Sequence, residues 1–163
     1  MKIKAFGLGA ILIAGLGISF QNHSIKADEL KPWLGTWKGK MDYLDVTTGM
    51  DESKKATIKV GPIVGGNKIA LQYIYPDDTA ANFTDTLRVA PDGKSVSYLT
   101  LAHKKKTSTD FQFMLEGEGE DAGQKAGIRL TYNFSKKTFS LKKEIKYRGQ
   151  SDYFTRSEYK LSK

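Results

Sequence analysis

Ile128, Leu130, Tyr132 and Phe134 alternate with Arg129, Thr131, Asn133 and Ser135, and this period of two constrains the chain more than any other feature. Successive side chains of a strand point to opposite faces, so such a run reads as a strand with one buried and one wet face. The pattern recurs. Trp37, Gly39, Met41 and Tyr43 alternate with Lys38, Lys40 and Asp42. Ile58 and Val60 follow, then Ile69, Leu71, Tyr73 and Tyr75, then Phe83, Leu87 and Val89. Pro76-Asp77-Asp78 and Ala90-Pro91-Asp92-Gly93 are turn signals between such runs. Val96 to Leu101, then Phe111, Phe113 and Leu115, then Phe139, Leu141, Ile145 and Tyr147, and finally Tyr153 to Leu161 continue the series. No helical period is sustained after the N-terminal apolar run. Glu116 to Gly123 reads as one long polar loop, and His103-Lys104-Lys105-Lys106 as a solvated hairpin tip.

About nine strands joined by short turns form a meander, which must hide both its edges and its apolar face. The expected fold is all-β: an antiparallel up-and-down β-barrel of about eight to ten strands. A β-sandwich is the alternative. The immunoglobulin type is disfavoured because the chain has no cysteine to give the Cys-Trp-Cys spacing.

Lys2 and Lys4 precede the apolar run Ala5 to Phe20, and Ile25-Lys26-Ala27 offers a small-residue cleavage end. Residues 1–27 are expected to be a signal peptide and 28–163 a single barrel domain of 163 − 27 = 136 residues. The protein is therefore expected to be exported, to a periplasm or the extracellular space. The alternative is an uncleaved anchor, but the run is shorter than the roughly 20 residues a span needs and is rich in glycine. No other stretch suits a membrane span, so no stable membrane insertion is expected. With no cysteine, the disulfide framework common in small exported domains is absent.

The chain carries a net charge of +8. Lys2, Lys4 and Lys26 lie in the leader with no acid, so the remainder has 23 cations against 18 acids, or +5. Such a charge favours anionic partners only moderately. Nucleic acid is not an expected partner, because basic residues are not clustered with aromatics. Nor is catalysis expected. His103 is the one histidine after the leader, and no second histidine or cysteine completes a metal site. Carboxylates are plentiful, but no spacing singles out a pair. Gly61 to Gly66 lacks the Lys-Ser/Thr end of a phosphate loop and reads as a turn. No cofactor is expected.

Gly35-Thr36-Trp37 at the start of the strand series, with Thr155-Arg156 near its end, resembles the calycin barrels: lipocalins, fatty-acid-binding proteins and avidins. The resemblance implies that Trp37 plugs one barrel end and that Arg156 lies across its indole face. It also has departures. No flanking helix follows the last strand, and Thr47 to Ala56 is too short for a helical lid. Simple alternation sets Arg156 opposite Tyr153, Thr155 and Tyr159, so either those tyrosines face solvent or a bulge intervenes. The pattern as a whole resembles uncharacterised lipocalin-like exported bacterial proteins.

Polar residues on otherwise apolar faces give the candidate site. Asp85 shares parity with Phe83, Leu87 and Val89, and Lys143 with Phe139, Leu141, Ile145 and Tyr147. A buried charge is expensive unless paired, so each must pair, reach solvent at a mouth, or meet a ligand. Tyr43, Tyr73, Tyr75, Tyr132 and Tyr147 fall on the same inward faces. A cavity so lined would take a small hydrophobic or amphipathic ligand, with any anionic head toward Lys143. The competing expectation is a filled barrel that binds a protein partner, as an envelope or inhibitor-type protein. A barrel of about eight strands has room for either arrangement.

Overall fold

Ten strands form one sheet in the computed structural model, which describes residues 24–163. They are β1 (Gly35–Leu44), β2 (Asp51–Val64), β3 (Lys68–Ile74), β4 (Phe83–Arg88), β5 (Ser95–Val96), β6 (Leu99–Lys106), β7 (Phe111–Asp121), β8 (Gln124–Phe134), β9 (Thr138–Tyr147) and β10 (Phe154–Ser162). Every pairing is antiparallel, in the order β4-β3-β2-β1-β10-β9-β8-β7-β6-β5. First and last strands pair from Lys38↔Ser162 to Tyr43↔Ser157, which curls the meander into a nearly closed up-and-down barrel. At the β1–β10 seam a Cβ on Gly39 would lie 2.1 Å from the Lys160 carbonyl oxygen, so only glycine allows this approach.

The inward faces follow the alternation. Phe113 and Leu115 of β7, Ile128, Tyr132 and Phe134 of β8, and Phe139, Leu141 and Ile145 of β9 are all buried. The two outermost strands meet less completely. A bridge joins Val89 to Val96, and the Ser97 amide donates to the Arg88 carbonyl at 2.6 Å. Ser97 itself has a left-handed backbone (φ 56°), and its hydroxyl donates to the Thr86 carbonyl. Beyond these contacts, Phe83 to Asp85 of β4 and Gly117 to Asp121 of β7 have no ladder partner across the gap among the described residues.

One end of the barrel is plugged by a short 3-10 helix, Ala27–Trp33, a departure from the expectation that no helix follows the apolar run. Ala27, Leu30 and Trp33 are its buried residues, and a spacing of three is the turn of this helix type. The Lys26 amide donates to the Glu29 carboxylate at 2.9 Å, which starts the helix. Ile25, only 1% exposed, donates its amide to the Gly93 carbonyl. Trp33 stacks on Phe134 and meets Tyr132 and Phe139 edge-on. This plug shares its end with the β8–β9, β6–β7 and β2–β3 turns. The β1–β2, β7–β8 and β9–β10 turns ring the opposite end, the mouth.

Three further expectations change. Glu116 to Asp121 is not a loop but the second half of β7: Glu116, Glu118 and Glu120 face outward, and Gly117, Gly119 and Asp121 inward. His103 to Lys106 belongs to β6 rather than to a hairpin tip, and a register shift between Leu101 and His103 turns Lys104 toward the plug. There Lys104 Nζ donates to the Ser24 carbonyl at 2.6 Å and to Glu29 at 2.7 Å. Finally, Gly61 to Val64 lies within β2, and the turn is Gly65 to Asn67.

Candidate functional site

The barrel interior divides into two halves. The plugged half is aromatic. Trp37 is fully buried, and its indole N–H donates to the Trp33 carbonyl at 2.7 Å. The cation across its face is Lys163, with Nζ 4.3 Å from the ring centroid and 3.0 Å from the Leu34 carbonyl oxygen. The expected partner, Arg156, is elsewhere. Arg156 lies at the mouth-end start of β10, whereas Lys38 pairs with Ser162 and so brings Lys163 to Trp37; a bulge between Thr155 and Ser157 breaks the alternation of β10 and turns Arg156 toward Asp121. The same bulge lets Tyr159 and Leu161 face inward, while Tyr153 stays outside beneath Arg129, 4.2 Å from its ring.

In the mouth half, Asp121 is the one buried acid among the described residues. It is reached by Lys143 Nζ at 2.5 Å, Arg156 Nε at 3.0 Å and the Tyr147 hydroxyl at 3.1 Å. Arg156 also donates to the Leu44 carbonyl, so one carboxylate ties β7, β9 and β10 to β1. Burial pushes the Asp121 carboxyl up, but the hydrogen bonds and charges of Lys143 and Arg156 outweigh it and hold the group below its ordinary range. Burial and the Asp121 carboxylate push Tyr147 up. Two cations against one acid leave the cluster with one positive charge.

Across the interior, the Tyr75 and Tyr159 hydroxyls share a hydrogen bond of 2.5 Å, and Tyr75 also donates to Met41 Sδ. Burial, then the Tyr75 hydrogen bond, raises Tyr159 strongly. Lys54 Nζ lies 4.3 Å above the Tyr75 ring and pairs with Asp78. Tyr43 stands at the lip, where its hydroxyl donates to Glu52 at 2.6 Å; this bond pushes its pKa up to about 12.

Tyr73 is buried beside the unladdered stretch of wall, and Tyr132 is buried toward the plug. Burial raises both, and the negative charge of Asp85 raises them further. Asp85 is itself exposed at the inner edge of β4. Phe83, 48% exposed, stacks on Tyr73 at 4.3 Å. Tyr98, 69% exposed, reaches across the gap to within 3.9 Å of where a Cβ on Gly119 would stand.

The inward tyrosines expected from parity thus fall apart: Tyr132 packs in the plugged half against Trp33 and Phe113, Tyr73 lies under Phe83 at the gap, Tyr75 pairs with Tyr159, and Tyr43 and Tyr147 stand at the lip. Lys143 faces inward as its parity implied, with its charge met by Asp121. Asp121, Lys54 and Tyr159 were missed. Among the described residues, no three His, Asp or Glu side chains converge to hold a metal ion, and no helix is long and apolar enough to cross a membrane.

Neither the family models nor the curated proteins compared with the chain match it. Among solved structures, that of Rv2717c from M. tuberculosis superposes with a TM-score of 0.60 at 16% identity, covering 83% of this chain and 95% of that one. The likeness is one of fold. Two single-asparagine variants of the fluorescent protein UnaG align at 8% identity over 82% of this chain and 96% of theirs, with TM-scores of 0.42 and 0.41.

Proposed function

We propose that this protein is an exported, non-catalytic carrier that holds one small hydrophobic or amphipathic molecule in the mouth half of the barrel. The observation that carries this reading is the unladdered stretch of wall between β4 and β7. Exposed Phe83 and Tyr98 flank it, and Phe83 lies stacked on the buried Tyr73 ring beneath it. Large aromatic side chains left exposed are costly in water and useful against an apolar guest. The single excess positive charge of the Lys143–Asp121–Arg156 cluster suits an anionic head group in the same half of the barrel. The basic, apolar N-terminal run supports export, with the periplasm or the extracellular space as destination.

A thermal-shift panel of fatty acids, lysophospholipids and pigments tests the reading. A true ligand at about a hundred times its Kd should stabilise by about 2.7 kcal/mol, which is a Tm rise of several degrees. Phe83→Ala/Tyr98→Ala should reduce that rise. A flat panel removes the main support for a carrier.

A second reading, a protein-binding envelope or inhibitor-type barrel with a filled core, has its own observation. Exposed Val46, Met50, Phe83 and Tyr98 all lie toward the mouth end, as an apolar rim. Under that reading the panel stays flat, and the purified protein retains a specific protein from host medium that Val46→Ser/Met50→Ser fails to retain.

A further inference from the structure

A concavity of about 710 Å³ lies on the outer wall of the barrel next to the plugged end. Register explains its shape. Lys40, Lys160, Ser140, Asn133, Gln112 and Lys105 stand opposite one another as one outward row across β1, β10, β9, β8, β7 and β6. Five inter-strand steps of about 4.8 Å make that row roughly 24 Å long. Its middle is short and uncharged, where the Asn133 amide donates to the Ser140 hydroxyl at 3.3 Å. Its flanks are long and basic: Lys38 and Lys160 on one side and Lys105 on the other line the trough.

Lys136 and Lys137 of the β8–β9 turn lie at the same end as the trough. Asp110 is the only acid lining the trough, and it accepts a bond from the Thr109 hydroxyl. Lys160 is partly offset by Asp42 and Glu158, but Lys38 and Lys105 have no acidic partner among the described residues.

We propose that this trough binds a linear anionic polysaccharide, which would hold the protein by its side and leave the mouth free. Amide and hydroxyl side chains on the floor match sugar hydroxyls, and the lysine walls match carboxylate or sulfate groups along the chain. A nucleic acid fits less well, because no exposed aromatic ring stands on this face to stack a base. A lipid surface fits less well too, since the exposed apolar side chains lie at the mouth or, for Val64, on the β2–β3 side.

The test is fluorescence anisotropy with a labelled heparin octasaccharide and with polygalacturonate, against neutral dextran and anionic phosphatidylglycerol vesicles, at low and physiological salt. The expected result is binding to both charged polysaccharides and not to dextran. Lys38→Glu/Lys105→Glu should weaken it about tenfold or more, since two charge-assisted contacts are lost. Gln112→Ala/Asn133→Ala should weaken it without changing the salt slope. Lys125→Glu/Arg148→Glu, an equal charge change at the mouth end, should leave it unaltered. If the reversed trough pair does not fold, Lys38→Gln/Lys105→Gln must give the same ranking. No binding, equal weakening by trough and mouth variants, or tighter binding to vesicles than to polysaccharide overturns the proposal.

Discussion

Two cations of the last strand region show how position, rather than residue type, assigns a role. Lys163 lies on the Trp37 ring at the plugged end, and Arg156 grips Asp121 and the Leu44 carbonyl at the mouth. Lys163→Met should cost about 0.5–1 kcal/mol, the worth of an exposed cation–π contact, and Lys163→Arg should restore it in chemical denaturation. Asp121→Asn should cost more, about 2–3 kcal/mol, because Lys143 and Arg156 lose the charge that compensates their burial. The pH dependence has a definite sign. The folded-state pKa of Asp121 is depressed, so its contribution is complete above the unfolded value of about 3.9 and is lost as pH falls through the lower folded value. Wild type should therefore lose stability more steeply than Asp121→Asn as pH falls below that value. Parallel acid unfolding curves for the two proteins would refute this role for the carboxylate.

At the level of elements, the plug is the part of the fold the sequence reading did not anticipate. Strands were legible because a period of two repeats across many residues, and Tyr132 or Lys143 could be placed on an inward face by counting. Ala27, Leu30 and Trp33 carry a period of three over a single short helix, too few turns to stand out beside the apolar run. Asp121 was hidden for another reason: Gly117 and Gly119 occupy the inward positions of β7, so that half-strand has no apolar face to read. Tyr98 of the β5–β6 turn and Leu99 at the start of β6 supply it instead, lying over the two glycines, where a Cβ on Gly117 would come within 2.8 Å of Leu99. Arg156 was set on Trp37 by the resemblance to calycins, not by counting, and it is the register pairing Lys38 with Ser162 that gives the place to Lys163. The plug carries its own prediction. A chain beginning at Asp28 lacks Ile25 and the Ser24 carbonyl that Lys104 holds. It should lose about 2–4 kcal/mol, since burying one Ile side chain alone is worth about 1.5–3 kcal/mol. Calorimetry on chains starting at Ser24 and at Asp28 measures the difference, and equal Tm values would show that the segment is dispensable. Trp33→Ala should cost about 3–5 kcal/mol by opening a cavity among Tyr132, Phe134 and Phe139.

The whole molecule is a barrel with unlike ends. One end is sealed by tryptophans and a helix. The other is bordered by tyrosines, a charged cluster and a stretch of wall without a ladder. That asymmetry is what an aromatic plug and a chain of ten strands produce when the outermost strands meet at one bridge. It also suits the proposed carrier, because a rigid closed half can hold the other half in shape for a guest. The measurement that bears most directly on this account is native mass spectrometry of the protein purified gently from its own host, before and after denaturation. The carrier account predicts a defined small-molecule adduct that leaves on unfolding and is depleted in Phe83→Ala/Tyr98→Ala. A clean apo mass in the wild type, with no adduct restored by the lipid and pigment panel, would contradict it.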